Sequence, residues 1–77
     1  MKPKELLKHI VQAMVDYPEQ VEIKEIETDQ SSILELKVAK SDIGKVIGKK
    51  GKNVNAIRDI LNAASQRKRV ILELLDR

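Results

Sequence analysis

Two glycines enclose two lysines near the middle of the chain, and this short pattern has the clearest chemical meaning. Gly48 and Gly51 allow a tight turn and let the backbone approach a ligand without an intervening β-carbon. The residues after Gly51 have helical periodicity, so unpaired N–H groups and a partial positive charge are expected directly behind the turn. Lys49 and Lys50 add two cations at its tip. Phosphate is the ligand that this chemistry favours.

Further basic residues lie on both sides of this pattern. Lys45 and Lys52 are its close neighbours, and ion pairs from such lysines to a phosphodiester backbone supply affinity without reading sequence. Arg58 falls on the following helix, and a basic cluster occupies residues 67–69. These later cations fit an extended phosphate track, and they fit equally well a solvated helix end with favourable charge.

The net charge of +3 hides an uneven distribution along the sequence. Residues 1–39 carry five basic and eight acidic side chains, whereas residues 40–69 carry nine and two, and residues 70–77 carry one and two. A block of +7 beside an acidic block favours binding of a polyanion to one face. A solvated charged surface is the simpler interpretation of the same counts.

The N-terminal half predicts a helix followed by a hairpin. Pro3 suits a first helical turn, and the helix should end before Pro18. Its apolar residues share one stripe: Leu6, Leu7, Ile10, Val11, Met14 and Val15. Val21 and Ile23 then alternate with polar residues, but Ile26 is out of phase, which predicts a bulge or a strong twist in the first strand. After turn residues 29–32, Leu34, Leu36 and Val38 predict the second strand.

The C-terminal half predicts two helices and a last strand. Ile43, Val46 and Ile47 share a face of a short helix that ends at Gly48, and a second helix runs from after Gly51 to about residue 66. Residues 70–75 form an apolar run typical of a buried strand. The order αββααβ, with a right-handed crossover, predicts an α+β fold in which three helices cover one face of a three-stranded mixed sheet.

The segment from Asp42 to Val54, followed by Ile57 at helical spacing, resembles the KH-domain signature, and the element order resembles the type II arrangement of that fold. The resemblance implies one KH domain over residues 1–77, with a GxxG loop at 48–51 that holds single-stranded RNA. It assigns the helix side of a base-binding groove to Ile43, Gly44, Val46 and Ile47. Leu36 and Val38, or their neighbours on the second strand, are candidates for the opposite wall. All these apolar residues also fit a plain core, which is the favoured interpretation for Val54 and Ile57.

The length and the signature together resemble the small bacterial KhpA (YlqC) family of RNA-binding proteins. This resemblance implies a cytoplasmic RNA chaperone or post-transcriptional regulator. It further implies a homodimer, or a heterodimer with a larger KH-domain protein, and a link to cell-wall and cell-length control.

Other classes of function receive little support from the composition. With no cysteine and one histidine, we expect no metal centre, no cofactor and no enzyme active site. The glycines do not fit the P-loop spacing, and no small-molecule substrate or membrane partner is indicated. The strongest alternative is a protein-interaction or dimerisation module whose basic loop is incidental.

Overall fold

The helices and strands follow the predicted order in a computed structural model, which describes residues 1–65 and 67–75. The main elements are α1 (Pro3–Met14), β1 (Glu22–Glu27), β2 (Ser31–Lys37), α2 (Ile43–Ile47), α3 (Lys52–Ala64) and β3 (Arg69–Leu74). Single turns of 3₁₀ type occupy Pro18–Gln20, Lys40–Asp42 and Lys49–Gly51. Among the described residues, no helix has the length and apolar character needed to cross a membrane.

The three strands form one mixed sheet in the order β1-β2-β3. β1 and β2 are antiparallel, with Glu22 opposite Lys37, and β2 and β3 are parallel, with Ser31 opposite Arg69. The α2–α3 pair forms the crossover that a parallel connection requires. β2 is therefore central, and β3 is an edge strand.

The hydrophobic core lies between one face of the sheet and the helices. Alternate residues of β2 and β3 face this core, because side chains alternate between the two faces of a strand. The buried apolar residues are Leu7, Val11, Val21, Leu34, Leu36, Val38, Val46, Ile57, Leu61, Val70 and Leu72. All three helices contribute to this cluster, which confirms the predicted α+β architecture.

The bulge that was one of two predicted explanations for the first strand is wrong. β1 pairs with β2 without interruption from Glu22 to Glu27. Ile26 is out of phase because it points to the open face of the sheet, where 38% of its surface is exposed. There it lies opposite Ile33, which in turn lies opposite Ile71 on β3. A row of three isoleucines thus crosses the open face.

A buried carboxylate fixes α2 against the end of α1. Asp42 is fully buried, and its two oxygens accept the backbone N–H groups of Asp16 and Tyr17, each at 3.1 Å. Asp42 is the N-cap residue of α2, but its side chain makes no capping bond to that helix. The carboxylate instead joins two segments 25 residues apart in sequence.

Candidate nucleic-acid interface

The turn between α2 and α3 depends on both glycines. Gly48 has φ 74° and ψ 170°, a region open essentially to glycine alone, and Gly51 has a left-handed conformation with φ 79° and ψ 12°. A β-carbon at Gly48 would lie 2.6 Å from Cγ of Asn53 and 2.8 Å from its backbone nitrogen. Lys50, between the glycines, also has a positive φ of 57°. This geometry brings the lysine pair to the tip of the turn.

Asn53 supports the turn from behind and was not identified from the sequence. Its Nδ2 donates a hydrogen bond to the carbonyl of Lys45 at 2.8 Å, which satisfies a carbonyl at the end of α2. Within the turn, Gly48 N–H donates to Gly44 at 2.9 Å and Gly51 N–H donates to Gly48 at 3.1 Å. The backbone is therefore held from both helices.

The first turn of α3 lies beside the lysines, and the N–H of its first residue, Lys52, donates to the carbonyl of Lys49. Gly51 is the N-cap residue of α3, and no side chain caps that end. Lys49, Lys50 and Lys52 are exposed, and none of them forms an ion pair within residues 1–65 and 67–75. Three exposed lysines therefore lie next to a helix N-terminus, an arrangement that attracts an anion.

Lys45 differs from these three lysines. Its ammonium forms a hydrogen-bonded ion pair with Asp16 and lies 3.9 Å from the Asp42 carboxylate. The pKa of Lys45 is raised, chiefly because it donates this hydrogen bond to Asp16. Burial opposes the shift, and the charges of Asp16 and Asp42 add to it. The predicted phosphate contact from Lys45 would therefore compete with an existing partner.

An apolar groove extends from the turn along the edge of the sheet. It has a volume of about 540 Å³, and its lining residues are Ile47, Val54, Arg58, Leu72, Glu73, Leu74 and Leu75. A smaller hollow of about 270 Å³ lies beside it, between Ile43 and Ile47 on one side and Leu74 and Leu75 on the other. The groove thus has a helical wall and a strand wall, and the glycine turn lies at one end of it.

The four residues predicted for the helical wall of the groove lie in different environments. Ile43 and Ile47 line the hollows, as the resemblance implied. Val46 is fully buried, so its side chain supports the wall from within the core. Gly44 is exposed, with open space where a β-carbon would be. Val54, for which the core was favoured, is only partly buried and lines the groove.

The predicted opposite wall on the second strand is wrong. Leu36 and Val38 are both fully buried, because β2 is the central strand and these side chains face the helices. The wall is instead formed by β3, whose free edge runs beside α3. Ile57 is 3% exposed and belongs to the core, in agreement with its favoured interpretation.

Arg58 spans the groove from its helical wall to the strand. One guanidinium nitrogen donates to Oδ1 of Asn55 at 3.3 Å, and the other makes a long 3.5 Å contact with the carbonyl of Leu72. The 67–69 cluster lies beyond the other end of α3, a helix of 13 residues and hence about 20 Å long. In that cluster Lys68 pairs with Glu27 at 3.7 Å. The structure therefore brings Arg58 close to the groove. Arg69 shares a separate hollow of about 360 Å³ with Arg58, whereas Arg67 and Lys68 lie beside the N-terminus of α1.

The edge of β3 offers backbone groups to a ligand in the groove. Arg69 and Leu75 donate their N–H groups inward, to Gln30 and Leu36. Since successive residues of a strand alternate, the N–H and C=O groups of residues 70, 72 and 74 point outward. In the described part of the chain, the N–H of Leu72 and both backbone groups of Leu74 have no partner.

Comparisons with known proteins agree on one family. The family model described as KhpA/KhpB, KH domain, matches residues 4–74. A protein of Caldanaerobacter subterraneus named RNA-binding protein KhpA is 52% identical over 73 residues, covering 92% of this chain and 97% of its own length. Proteins of the same name from Clostridium acetobutylicum and Borreliella burgdorferi are 47% and 46% identical, and each alignment covers 94% of this chain and at least 90% of the relative. This chain belongs to the KhpA/KhpB family of KH domains.

Proposed function

We propose that this protein binds single-stranded RNA, with the phosphate backbone held at the turn 48–51 and the bases lying in the groove against β3. One observation carries the proposal: an anion-attracting turn with three exposed lysines opens directly into an apolar groove of suitable size for flexible ligands. The name RNA-binding protein KhpA, borne by its relatives, supports the same conclusion.

The backbone contacts would supply most of the affinity. N–H groups of the first turn of α3 beyond that of Lys52 can donate to phosphate oxygens, and Lys49, Lys50 and Lys52 can pair with neighbouring phosphates. Lys45 is a secondary contact in this scheme, because its ammonium already pairs with Asp16.

The groove would hold the bases by apolar contact and by the strand edge. No aromatic side chain lines it, so bases would pack against aliphatic groups such as those of Ile47 and Leu74. Each outward residue of β3 presents an N–H and a C=O side by side, which match the donor and acceptor on the Watson–Crick edge of a base. Arg58 would have to release the Leu72 carbonyl when a base occupies this position.

The test of this proposal is a fluorescence-anisotropy titration of single-stranded RNA at several salt concentrations. The double variant Lys49→Asp, Lys50→Asp should bind far more weakly, and its salt slope should be shallower by about 1.4 if each lysine meets one phosphate. Single-stranded DNA of matched sequence should be titrated in parallel to measure preference for the 2′-hydroxyl.

A matched control has the same change in charge at a distant site. Lys2→Asp, Lys4→Asp places two carboxylates near the N-terminus of α1, where they favour the helix dipole. Residues around this end border the C-terminal end of α3, on the far side from the turn. The control should retain most of its affinity. Equal losses of RNA affinity in both double variants would mean that overall charge causes the effect, and would contradict a clamp at the turn.

The biological role in this proposal is that of an RNA chaperone or post-transcriptional regulator, as in the family resemblance. A clamp that holds backbone and few bases binds many RNAs weakly, which suits strand exchange and annealing. The protein should accelerate annealing of complementary RNA strands, and the Lys49→Asp, Lys50→Asp variant should not. If the wild-type protein binds no RNA while folded, the protein-interaction module becomes the better explanation.

Assembly into a dimer forms the second part of the proposal, and the open face of the sheet supports it. Ile26, Ile33 and Ile71 form an aligned row on this face. Arg69 and Glu73 lie on the same face of β3, two residues to either side of Ile71. Neither of these charged side chains pairs with another residue among those described. A second copy, related by a two-fold axis along the isoleucine row, would place its Glu73 over Arg69 of the first.

Charge reversal provides a sharp test of this dimer by analytical ultracentrifugation. Arg69→Glu and Glu73→Arg should each be monomeric at concentrations at which the wild-type protein dimerises. An equimolar mixture of the two variants should form a heterodimer, because each then presents the charges that the other lacks. A mixture that stays monomeric would assign the dimer to another surface. A wild-type protein that is monomeric throughout would leave a larger KH-domain protein as the partner.

A further inference from the structure

One side-chain amide closes part of the β3 edge. Oδ1 of Asn62 accepts the backbone N–H of Val70 at 2.9 Å, and its Nδ2 donates to the carbonyl of Val70 at 3.1 Å. The same Nδ2 donates to the carbonyl of Arg58 at 3.0 Å. Asn62 thus uses all its hydrogen-bonding atoms, and it pairs with Val70 as a neighbouring strand would.

This contact divides the outward groups of β3 into two parts. Leu72 and Leu74 line the groove, and within residues 1–65 and 67–75 their outward groups meet only the long contact from Arg58. Both outward groups of Val70 are occupied. Outward residues recur about every 6.6 Å along a strand, so each can address one base of an extended chain.

We propose that Asn62 ends the base-reading edge: Leu72 and Leu74 read bases, and Val70 cannot because Asn62 holds both its backbone groups. This inference rests on the proposed RNA-binding function and adds the length of the site and its boundary. Asn62 is a positioning residue here, since it acts through Val70. An unbroken edge would let the RNA continue toward the 67–69 cluster, and Asn62 prevents this.

The experiment compares wild type with Asn62→Ala, using oligoadenylate and oligocytidylate RNAs of stepwise increasing length. For wild type, affinity should stop rising at a certain length, and for Asn62→Ala it should continue to rise for one more nucleotide. In two-dimensional ¹H–¹⁵N NMR spectra, the Val70 amide should shift on addition of RNA in the variant and not in wild type. A purely structural role for Asn62 would weaken binding at every length and would leave the length at the plateau unchanged.

One further variant completes the design. Asn62→Ser shortens the side chain and provides a second way to free Val70 if the alanine variant does not fold, as judged by circular dichroism. If wild type binds RNA and the Ala and Ser variants reach their affinity plateau at the same RNA length as wild type, this inference alone is overturned. If wild type binds no RNA, the proposed function is overturned.

Discussion

The amide of Asn53 donates to the carbonyl of Lys45 at 2.8 Å, and this bond joins the two helices on either side of the lysine-tipped turn. The same side chain fills the space behind Gly48, where no β-carbon fits. The turn is therefore set before a ligand arrives, which reduces the conformational cost of binding.

Removal of the Asn53 amide should loosen the turn while the protein stays folded. Asn53→Ala should lower the free energy of unfolding by about 1 kcal/mol, since it removes one hydrogen bond at an exposed site. RNA affinity should fall as well, because the lysines lose their fixed support. Urea denaturation and anisotropy titration measure the two effects. Ile60→Ala, at an exposed position of the same helix outside the groove lining, is the comparison: an equal loss of affinity there would remove the special role of Asn53.

The two glycines of the turn should respond differently to substitution. Gly48→Ala should destabilise the protein by about 3 kcal/mol or abolish the native turn, because the conformation is nearly exclusive to glycine and the β-carbon meets the Asn53 backbone. Gly51→Asn should cost no more than about 1 kcal/mol, since asparagine tolerates the left-handed region and the nearest atom is 3.4 Å away. Thermal unfolding measures both. Similar costs at the two positions would contradict the geometry.

The buried Asp42 should be important for stability. Asp42→Ala leaves the N–H groups of Asp16 and Tyr17 without their acceptor, at a cost of about 3 kcal/mol. For a domain of this size, that corresponds to a decrease in Tm on the order of 10–20 °C. Asp16→Asn, at the exposed end of the ion pair with Lys45, should cost less than about 1 kcal/mol. Calorimetry on both variants provides the comparison.

The raised pKa of Lys45 predicts a stability effect confined to alkaline pH. A folded-state pKa above the ordinary value of 10.5 means that the ion pair stabilises the fold fully below about pH 10.5 and loses its effect as pH rises through the raised pKa. The stability difference between wild type and Lys45→Met should therefore be constant near neutral pH and shrink above pH 10.5. Urea midpoints across this range measure it. A difference that shrinks already below neutral pH would require another titrating group.

Local signals in the sequence were sufficient for the fold and for the turn. The spacing of apolar residues distinguished three helices from three strands, because the core-facing residues form one stripe on each helix and one face of the sheet. The glycine–lysine pattern located the turn, since its conformation depends on residue types that are adjacent in sequence. Ile26 does not follow the alternation of Val21 and Ile23 because its side chain lies on the open face of the sheet, in a strand that has no bulge.

Long-range features of the site could not be read in the same way. Alternating apolar residues look alike in a central and in an edge strand, so Leu36 was a reasonable candidate for a wall that β3 provides. Asp42 and Asn62 act on backbone groups in other elements. Their partners depend on how the elements pack, and a polar residue at a helix end or on a helix surface has the same local signature whether or not it has such a partner.

Two exposed isoleucines make it possible to separate groove contacts from general surface effects. Ile47 is 38% exposed and lines the groove, whereas Ile60 is 46% exposed on α3 and lies outside the groove lining. If bases pack against the groove, Ile47→Ala should reduce RNA affinity about fivefold, which corresponds to about 1 kcal/mol of lost apolar contact. Ile60→Ala should leave RNA affinity unchanged, and both variants should retain similar thermal stability. Equal affinities for the two variants would mean that the bases do not enter the groove and that the RNA is held by its backbone alone.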